Sequence, residues 1–483
     1  MKKLIIFFVF LSLISLVDSC QTKIEKARPN IIFILADDLK SDAIGIAGNP
    51  VIKTPNIDAL ANEGVYFPNT FISSAICMPS RASIMTGMYE KNHHCNFGHD
   101  GLKTKFWELS YPILLRQSGY NTGFIGKFGF GVSDVPSDWE YHSEDKLPAK
   151  DFDYWKGFPG QGNYFPKGKD GKHLTNLNSE YALDFLNNYD QSKDQPFCLS
   201  ISFKAPHGPM TPDPVYDKLF VNQELSKPNT YDSIYYNRLP EAVKKSWGHN
   251  GYFSLYLNTP EKFQSYVKRY YRLITGVDDA LGKIRKELER LNLSENTIII
   301  FTSDNGYFTG EHLMGGKVLM YEESIKVPLI IFDPNSAVKN KGITNDNLIS
   351  NVDFAPTILR FAGLDIPEQM DGMDISSLFQ EREDTWREMV FCENNFSQGT
   401  EISVGPYDKD GKTNWRNQYY PKSWCLRSNE FKYISYWEEK NQTEELYDMV
   451  SDVFEKNNLI SNSTYENIVK SFREKLKQEL SNN

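Results

Sequence analysis

The 483-residue sequence predicts an α/β domain with a mostly parallel sheet, followed by a smaller α+β domain. Short unbroken apolar runs predict strands that are buried on both faces. Amphipathic segments alternate with these runs, which is the pattern of strands joined by helices. The pattern changes after about residue 384. We therefore assign residues 27–384 to the α/β domain and residues 385–483 to the C-terminal domain.

The elements of the first domain follow from these patterns in chain order. Buried strands are predicted at residues 30–36, 121–127, 196–203 and 296–303. Helices with one apolar face are predicted at residues 57–65, 111–120, 180–189, 270–292 and 356–364. Two insertions rich in Gly, Pro, Lys, Asn and aromatic residues are predicted to be surface loops, at residues 137–172 and 222–262.

The C-terminal domain is predicted to be an antiparallel sheet with one helix. Its strand-like segments are residues 388–395, 424–439 and 443–450. Residues 465–480 form a terminal amphipathic helix in this prediction.

Composition and charge narrow the classes of function. The chain is 40% hydrophobic and 24% charged, which is typical of a globular protein. Its net charge of −10 argues against general nucleic-acid binding, which needs a broad basic surface. A small anionic substrate held by a few local cations remains compatible with this charge.

The N-terminus predicts export. Lys2 and Lys3 precede an apolar segment that ends at Val17, which is short for a membrane span and typical of a secretory signal. A small residue before Cys20 predicts a lipoprotein signal at residues 1–19, with Cys20 as the lipidated first mature residue. The alternative is ordinary signal cleavage with Cys20 incidental. The prediction places the protein in the periplasm, or at the outer membrane or cell surface, with a lipid anchor as its only membrane contact.

Polar residues follow two of the buried strands. Asp37 and Asp38 follow the first, and Asp304 and Asn305 follow the strand at 296–303. Sites in α/β sheets form at the carboxyl ends of strands, where adjacent carboxylates need a cation. Oxygen ligands favour Ca²⁺ or Mg²⁺ over Zn²⁺. Taken alone, Asp37 and Asp38 could instead be a helix cap or a solvated loop.

A lone cysteine begins the segment "CMPSRASIMTG". Cys77 could be a nucleophile, a metal ligand, half of a disulfide or a small buried residue. Pro79 is favoured in a first helical turn, which places Cys77 at a helix N-terminus that attracts anions, one turn before Arg81. Further candidate cations are Lys127, His207, His312 and Lys317. Together these residues predict a site for a tetrahedral oxyanion, either sulfate or phosphate.

These residues resemble the type I sulfatases of the alkaline phosphatase-like superfamily. "CMPSRASIMTG" matches their signature Cys-x-Pro-Ser-Arg-x-x-x-x-Thr-Gly, in which most positions are fixed in type and spacing. "PNIIFILADD", "GYNTGFIGK", "KAPHGPM", "IIIFTSDNG" and "GEHLMGGK" match other family segments, so the resemblance covers nearly the whole mature chain. It implies an alkaline phosphatase-like fold with a smaller C-terminal domain.

The resemblance also implies a mechanism. A separate maturase oxidises Cys77 to formylglycine, whose hydrated form attacks sulfur with one hydroxyl and displaces the substrate alcohol. The second hydroxyl then expels sulfate and restores the aldehyde. The implied metal is Ca²⁺, with Mg²⁺ as the alternative, and its implied ligands are Asp37, Asp38, modified Cys77, Asp304 and Asn305.

Other roles are carried over in the same way. Arg81 would hold the diol, and Lys127 and Lys317 would bind sulfate oxygens. His207 would protonate the leaving oxygen, with His312 and His93 nearby. The chain departs from the family at Gly129, where many members have a histidine.

The predicted function is therefore hydrolysis of a sulfate ester, as an exo-acting O-sulfatase on a sulfated glycan. One alternative is a phosphonate monoester or phosphodiester hydrolase of the same superfamily. A less favoured one is a catalytically silent sulfoglycan-binding lipoprotein, against which the complete set of metal positions argues. The aromatic, lysine-rich segment 154–173 is predicted to contact the sugar, with a solvated surface loop as the alternative.

Overall fold

The computed structural model describes residues 28–97, 101–135, 143–336, 338–339, 341–379, 386–397, 418–438 and 443–481. The predicted signal segment and Cys20 lie outside these residues. The strands are β1 Asn30–Asp37, β2 Val65–Phe71, β3 Asn121–Lys127, β4 Tyr154–Phe158, β5 Phe197–Pro206, β6 Thr297–Ser303, β7 Phe308–Thr309, β8 Gly315–Gly316, β9 Lys326–Phe332, β10 Ile343–Thr344, β11 Ile349–Ser350, β12 Met389–Asn394, β13 Ser423–Ser428, β14 Phe431–Tyr436 and β15 Thr443–Asp448.

The helices come between and after these strands. They are α1 Pro55–Glu63, α2 Cys77–Thr86, α3 Glu90–His93, α4 Thr104–Trp107, α5 Tyr111–Gln117, α6 Leu174–Asn188, α7 Ser233–Arg238, α8 Glu241–Lys244, α9 Ser254–Tyr256, α10 Pro260–Arg290, α11 Glu322–Ile325, α12 Phe354–Phe361 and α13 Glu466–Ser481. No helix in the described part of the chain is both long and apolar enough to cross a membrane.

The main sheet is mixed and mostly parallel, which confirms the predicted fold class. Within the described residues it has nine strands, in the order β10–β2–β9–β6–β1–β5–β3–β4, with β11 also paired to β2. The central strand β1 runs parallel to both neighbours, and Phe33 aligns with Ser200 in β5 and with Ile300 in β6. Strand β9 runs antiparallel to β2 and β6.

Helices cover both faces of this sheet. Ile32 and Ile34 of β1 pack in one core with α6 and α10. Ile31 and Phe33 point to the opposite face and pack with α2, α5 and α12. Every residue of β1 is buried, and burying each aliphatic side chain stabilises the fold by about 1.5–3 kcal/mol. This explains why the first strand reads as a continuous apolar run.

The C-terminal sheet is antiparallel, in the order β12–β13–β14–β15. Helix α13 packs Val469 and Phe472 against one face of this sheet. The other face shares a core with the α/β region, through residues that include Cys392 and Cys425. These two cysteines lie opposite each other in the register of β12 and β13, and both are free thiols.

The two predicted surface loops need correction. Residues 154–158 form β4, an edge strand of the main sheet that pairs with β3. The ring of Trp155 stacks on Phe124 with centroids 5.2 Å apart, so aromatic residues of this insertion stabilise packing. The second insertion contains α7, α8, α9 and a π-helical turn at Gly248–Phe253, and it runs into the start of α10. These helices are too short to produce a helical period in the sequence.

Candidate functional site

The candidate site lies where the parallel strands of the main sheet end. Asp37 is the last residue of β1, and Lys127 is the last residue of β3. His207 follows β5 and Asp304 follows β6. Because β1, β3, β5 and β6 are parallel, these side chains meet at one edge of the sheet, where sites form in α/β folds.

Helix α2 brings Cys77 to the same edge. All ten residues of this helix are buried, and it ends at Gly87, whose φ of 67° lies in the left-handed region that glycine adopts readily. The sulfur of Cys77 lies 3.4 Å from Oδ1 of Asp37 and 2.7 Å from Nζ of Lys317. Burial, reinforced by the charge of Asp37, raises the pKa of Cys77 to about 12. The thiol is therefore neutral at pH 7.

Three buried carboxylates differ in their affinity for protons. Burial raises the pKa of Asp37, but Lys127 and other nearby cations outweigh it and hold this pKa well below its usual value. Burial raises the pKa of Asp38 to about 6. The attraction of Lys317 lowers this pKa, but the repulsion from Asp37 partly offsets that attraction. Burial also raises the pKa of Asp304, which Asp37 reinforces. Three carboxylates buried this close together repel one another, which a bound cation would relieve.

The donor set fits a divalent cation. Ligand atoms of Asp37, Asp38, Cys77 and His207 all lie within 4.8 Å of one another. The amide Nδ2 of Asn305 donates to Asp38 at 2.6 Å, and its Oδ1 is buried without a hydrogen-bond partner in the described part of the chain. Carboxylate oxygens beside an unsatisfied amide oxygen suit a hard cation such as Ca²⁺ or Mg²⁺.

Arg81 fixes the deepest part of the site. Its Nε donates to Asp304 Oδ2 at 2.8 Å, and its Nη1 donates to the carbonyl of Lys127 at 2.7 Å and to Ser202 Oγ at 2.5 Å. Its Nη2 lies 3.6 Å from Asp37. Since the side chain is only 1% exposed, Arg81 ties β3, β5 and β6 to α2 from within the core.

Two lysines and a histidine complete the charged cluster. Nζ of Lys127 donates to Asp37 at 2.6 Å and to Gln161 Oε1 at 2.7 Å. Lys317 donates to Asp38 as well as to Cys77. Nδ1 of His207 donates to the carbonyl of Gly208 at 2.6 Å, so its Nε2, 3.7 Å from Asp38, is the nitrogen that can exchange a proton.

A cavity of about 800 Å³ opens above this cluster. Its charged and ionisable lining residues are Asp38, Cys77, Lys204, His207, Arg269 and Lys317. Its aromatic lining residues are Phe97, Tyr252, Tyr256, Tyr266, Tyr307 and Phe396. A volume of this size is typical of small-ligand sites. Five other predicted residues do not line the cavity but belong to the charged cluster that contacts its lining: Asp37, Arg81, Lys127, Asp304 and Asn305.

Sequence reasoning did not single out three residues of the cavity. Lys204 carries a visible signal, because it is a charged residue near the end of the buried strand that precedes His207. Burial, reinforced by the charge of Lys127, lowers the pKa of Lys204 to about 8. Gln161 lies in the insertion that was predicted to be a loop, and Arg269 lies on α10 among many surface charges. Nothing in the local sequence distinguishes these two from their neighbours.

Two predicted histidines do not reach the cavity lining. His93 is fully buried, and its ring nitrogens contact Ser83 Oγ at 3.0 Å and the backbone N of Cys95 at 3.0 Å. His312 is buried against Tyr321, with ring centroids 5.1 Å apart. Neither histidine borders the cavity. Their predicted place near the reacting group therefore stays a prediction, and what the structure adds is that both rings are buried outside the cavity lining.

Segment 154–173 reaches the cavity through Gln161 and Gly162. Its lysines do not line it. Lys172 pairs with Glu180 at 2.8 Å, and Lys156 and Lys169 lie over the ring of Tyr181. The segment thus contributes an amide to the cavity, and these three lysines lie on another surface.

Comparison with known proteins agrees with this geometry. Residues 29–364 match the sulfatase family, and residues 310–482 match the C-terminal region of N-sulphoglucosamine sulphohydrolase. An N-acetylglucosamine-6-O-sulfatase of Bacteroides thetaiotaomicron is 30% identical over 92% of this chain and 84% of its own length.

Two solved structures share the fold. One, in complex with its substrate D-glucosamine-2-N,6-O-disulfate, has a TM-score of 0.75 and 27% identity, and the match covers 94% of this chain and 97% of that one. A phosphonate monoester hydrolase of Agrobacterium radiobacter has a TM-score of 0.72 and 23% identity, over 93% of this chain and 95% of that one. At this lower identity the second match shows the fold alone.

Proposed function

This chain belongs to the sulfatase family and hydrolyses sulfate esters, and from that premise we propose that it removes a sulfate group from a glycan by a formylglycine formed from Cys77 and a bound divalent cation. The observation that carries the proposal is the position of Cys77. It begins α2, lines the cavity and contacts Lys317, with the carboxylates of Asp37 and Asp38 beside it. A nucleophile formed from Cys77 would lie between the cavity and these carboxylates.

The substrate class rests on the relatives and on the cavity. The two most informative relatives are an N-acetylglucosamine-6-O-sulfatase and a protein with a disulfated glucosamine as its substrate. Aromatic rings beside cations suit a sugar with negative groups, because rings cover the apolar face of a sugar. The disulfated glucosamine is a single sugar, which supports an exo-acting enzyme that takes single terminal residues.

Each buried residue has a proposed task. Cys77, once oxidised by a maturase, supplies a geminal diol as the nucleophile. A divalent cation held by Asp37, Asp38, Asp304 and Asn305, with the modified residue 77 completing the set, would lower the pKa of this nucleophile and neutralise charge on the sulfate. Ca²⁺ is our first choice and Mg²⁺ the second, because the donors are oxygens.

The surrounding side chains bind and move protons. Lys317 is close enough to Cys77 to bind a sulfate oxygen there. Lys127 supplies a second positive charge next to the cavity, and its Nζ donates to the Gln161 amide oxygen, which holds the Gln161 side chain at the cavity lining. His207 lines the cavity, and because its Nδ1 is bound to the carbonyl of Gly208, its Nε2 would give the proton to the leaving oxygen. Arg81 binds Asp304 and keeps its carboxylate in position.

We also propose that the protein is exported and that Cys20 carries a lipid anchor. The support is the N-terminal sequence, with its two lysines, apolar segment and small residue before Cys20. The division into domains at residues 27–384 and 385–483 likewise remains a proposal. Its support is the change from a mostly parallel to an antiparallel sheet.

The test is to co-express the protein with a formylglycine-generating maturase and to assay sulfate release from N-acetylglucosamine 6-sulfate and from a small aryl sulfate. We expect an aldehyde in the Cys77 peptide by mass spectrometry, and a loss of turnover of about 10³-fold or more in Cys77→Ala. The matched control is Cys198→Ala, which removes another buried thiol from β5 and should stay active. Full activity with an unmodified Cys77 thiol would refute the mechanism, and phosphonate turnover without sulfate release would refute the reaction.

A further inference from the structure

Arg269 is a cation of the cavity for which the described part of the chain provides no hydrogen-bond or ion-pair partner. It lies on α10, its side chain is exposed, and it lines the cavity together with Cys77 and Lys317. No hydrogen bond or ion pair joins it to any residue of the described ranges. A guanidinium carries five donors in a fixed fork, and its natural partner is a carboxylate or another oxyanion.

The other cations of the site are already engaged. Lys127 pairs with Asp37 at 2.6 Å and Arg81 pairs with Asp304 at 2.8 Å. Lys317 contacts both Asp38 and Cys77, where the cleaved sulfate would bind. Lys204 is buried and donates to the carbonyl of Gly208 at 3.0 Å. Arg269 is therefore available for a negative group that the reaction itself does not use.

Tyrosine side chains form the part of the cavity lining that includes Arg269. Tyr266 lies three residues before Arg269 on α10, so the two side chains share one face of the helix. Tyr256 stacks on Tyr266 with centroids 5.1 Å apart, and the Tyr266 hydroxyl contacts that of Tyr307 at 2.6 Å. These contacts fix the rings in the cavity wall. A sugar packed on these rings would therefore lie beside Arg269.

We propose that Arg269 binds a second negatively charged group of the substrate, separate from the sulfate that is removed at Cys77. This inference rests on the proposed sulfatase reaction and narrows its substrate to a sugar that carries at least two anionic groups. The second group is a sulfate on the same sugar or a carboxylate on its neighbour, and both are planar or tetrahedral oxyanions that a guanidinium binds through paired hydrogen bonds.

The expected effect is a change in substrate preference. A hydrogen bond to a charged group contributes enough to change kcat/KM by about 10- to 100-fold. Because the contact lies away from the reacting sulfur and persists through the reaction, its loss should raise KM more than it lowers kcat.

The test uses two pairs of substrates that differ by one negative group. The first pair is D-glucosamine-2-N,6-O-disulfate and N-acetylglucosamine 6-sulfate. The second pair is a sulfated disaccharide that contains a uronic acid and the same disaccharide with its carboxyl reduced. A small aryl sulfate reports turnover without a sugar. Wild type, Arg269→Gln and Lys268→Gln are compared on all five compounds.

Lys268→Gln is the matched control. Lys268 is the preceding residue of α10, so this variant loses the same charge from the same helix, yet Lys268 does not line the cavity. We expect wild type and Lys268→Gln to prefer the doubly charged member of at least one pair. Arg269→Gln should lose about 10-fold or more of that preference, mainly through KM. The pair that responds identifies the second group as sulfate or carboxylate.

Two outcomes overturn the inference, and they differ from failure of the proposed function. Wild type that hydrolyses sulfate esters without preferring the doubly charged sugars refutes the role of Arg269 and leaves the sulfatase reaction standing. An equal preference in wild type and Arg269→Gln does the same. Absence of sulfate release from every compound, the aryl sulfate included, refutes the proposed function itself.

Discussion

The substitution Gly129→Ala should damage the site through Arg81. Gly129 lies two residues after Lys127, at the position where many type I sulfatases have a histidine. Its φ is 95°, which side chains rarely adopt. A Cβ atom added there would lie 2.5 Å from Cδ of Arg81. In this chain the space for a side chain at position 129 is therefore occupied by Arg81.

The size of the effect follows from these distances. Carbon atoms pack at about 3.5–4.0 Å, so Cδ of Arg81 must move by about 1 Å. The bonds from Arg81 to Asp304, at 2.8 Å, and to the carbonyl of Lys127, at 2.7 Å, cannot both survive that shift. A displacement of this size at a catalytic site can lower the rate by about 10²-fold. The positive φ adds a backbone cost of about 1–2 kcal/mol to the folded state.

The assay is kcat on an aryl sulfate together with thermal unfolding. Gly168→Ala is the matched control, because Gly168 has a φ of 71° and no atom within 4 Å of an added Cβ. Gly168→Ala should be destabilised to a similar extent by its positive φ and should keep its activity. Gly129→Ala should lose about 10²-fold in kcat and unfold at a lower temperature than the control. If both variants retain kcat within about twofold of wild type, the argument that Arg81 needs this space is wrong.

Three further predictions concern the metal, the anchor and the pH dependence of stability. Asp304→Ala should lose bound divalent metal and activity together by elemental analysis and assay, whereas full activity after chelation would contradict the metal site. Wild-type protein made in a lipoprotein-processing bacterium should partition into detergent, and Cys20→Ala should release it; a soluble wild type would count against the anchor. Burial and the nearby Glu90 raise the pKa of Glu393 from 4.5 to about 8, so its contribution to stability is present below pH 4.5 and is lost as pH rises toward 8. Glu393→Gln should flatten the decline of the unfolding temperature over that range, and an unchanged slope would argue against this assignment.

Much of the fold was predictable because its elements carry local patterns. The apolar runs of β1, β5 and β6 are continuous because these strands are buried on both faces, and this property shows in the sequence. The alternation with helices then predicts a parallel sheet, and the carboxyl ends of its strands predict where polar residues meet. Asp37, Asp304 and Cys77 could therefore be chosen as candidates before their distances were known.

Other features depend on contacts between residues that are far apart in the chain. Strand β4 is stabilised by Trp155 on Phe124, and no pattern within the insertion reveals that partner. His93 has a suggestive position in the sequence, yet only packing shows that its ring faces Ser83.

The sequence by itself determined the order of the buried strands and long helices and the residue types of the site, because periodicity and residue type are local properties. Only the tertiary structure decided which side chains face the cavity. Arg269 and Lys268 are adjacent and equally charged, and nothing in the sequence separates them. The orientation of α10 against the sheet turns Arg269 toward the cavity and leaves Lys268 outside its lining. That orientation follows from the burial of residues such as Tyr270 and Ile274, whose partners in β1 and β5 lie far away in the chain.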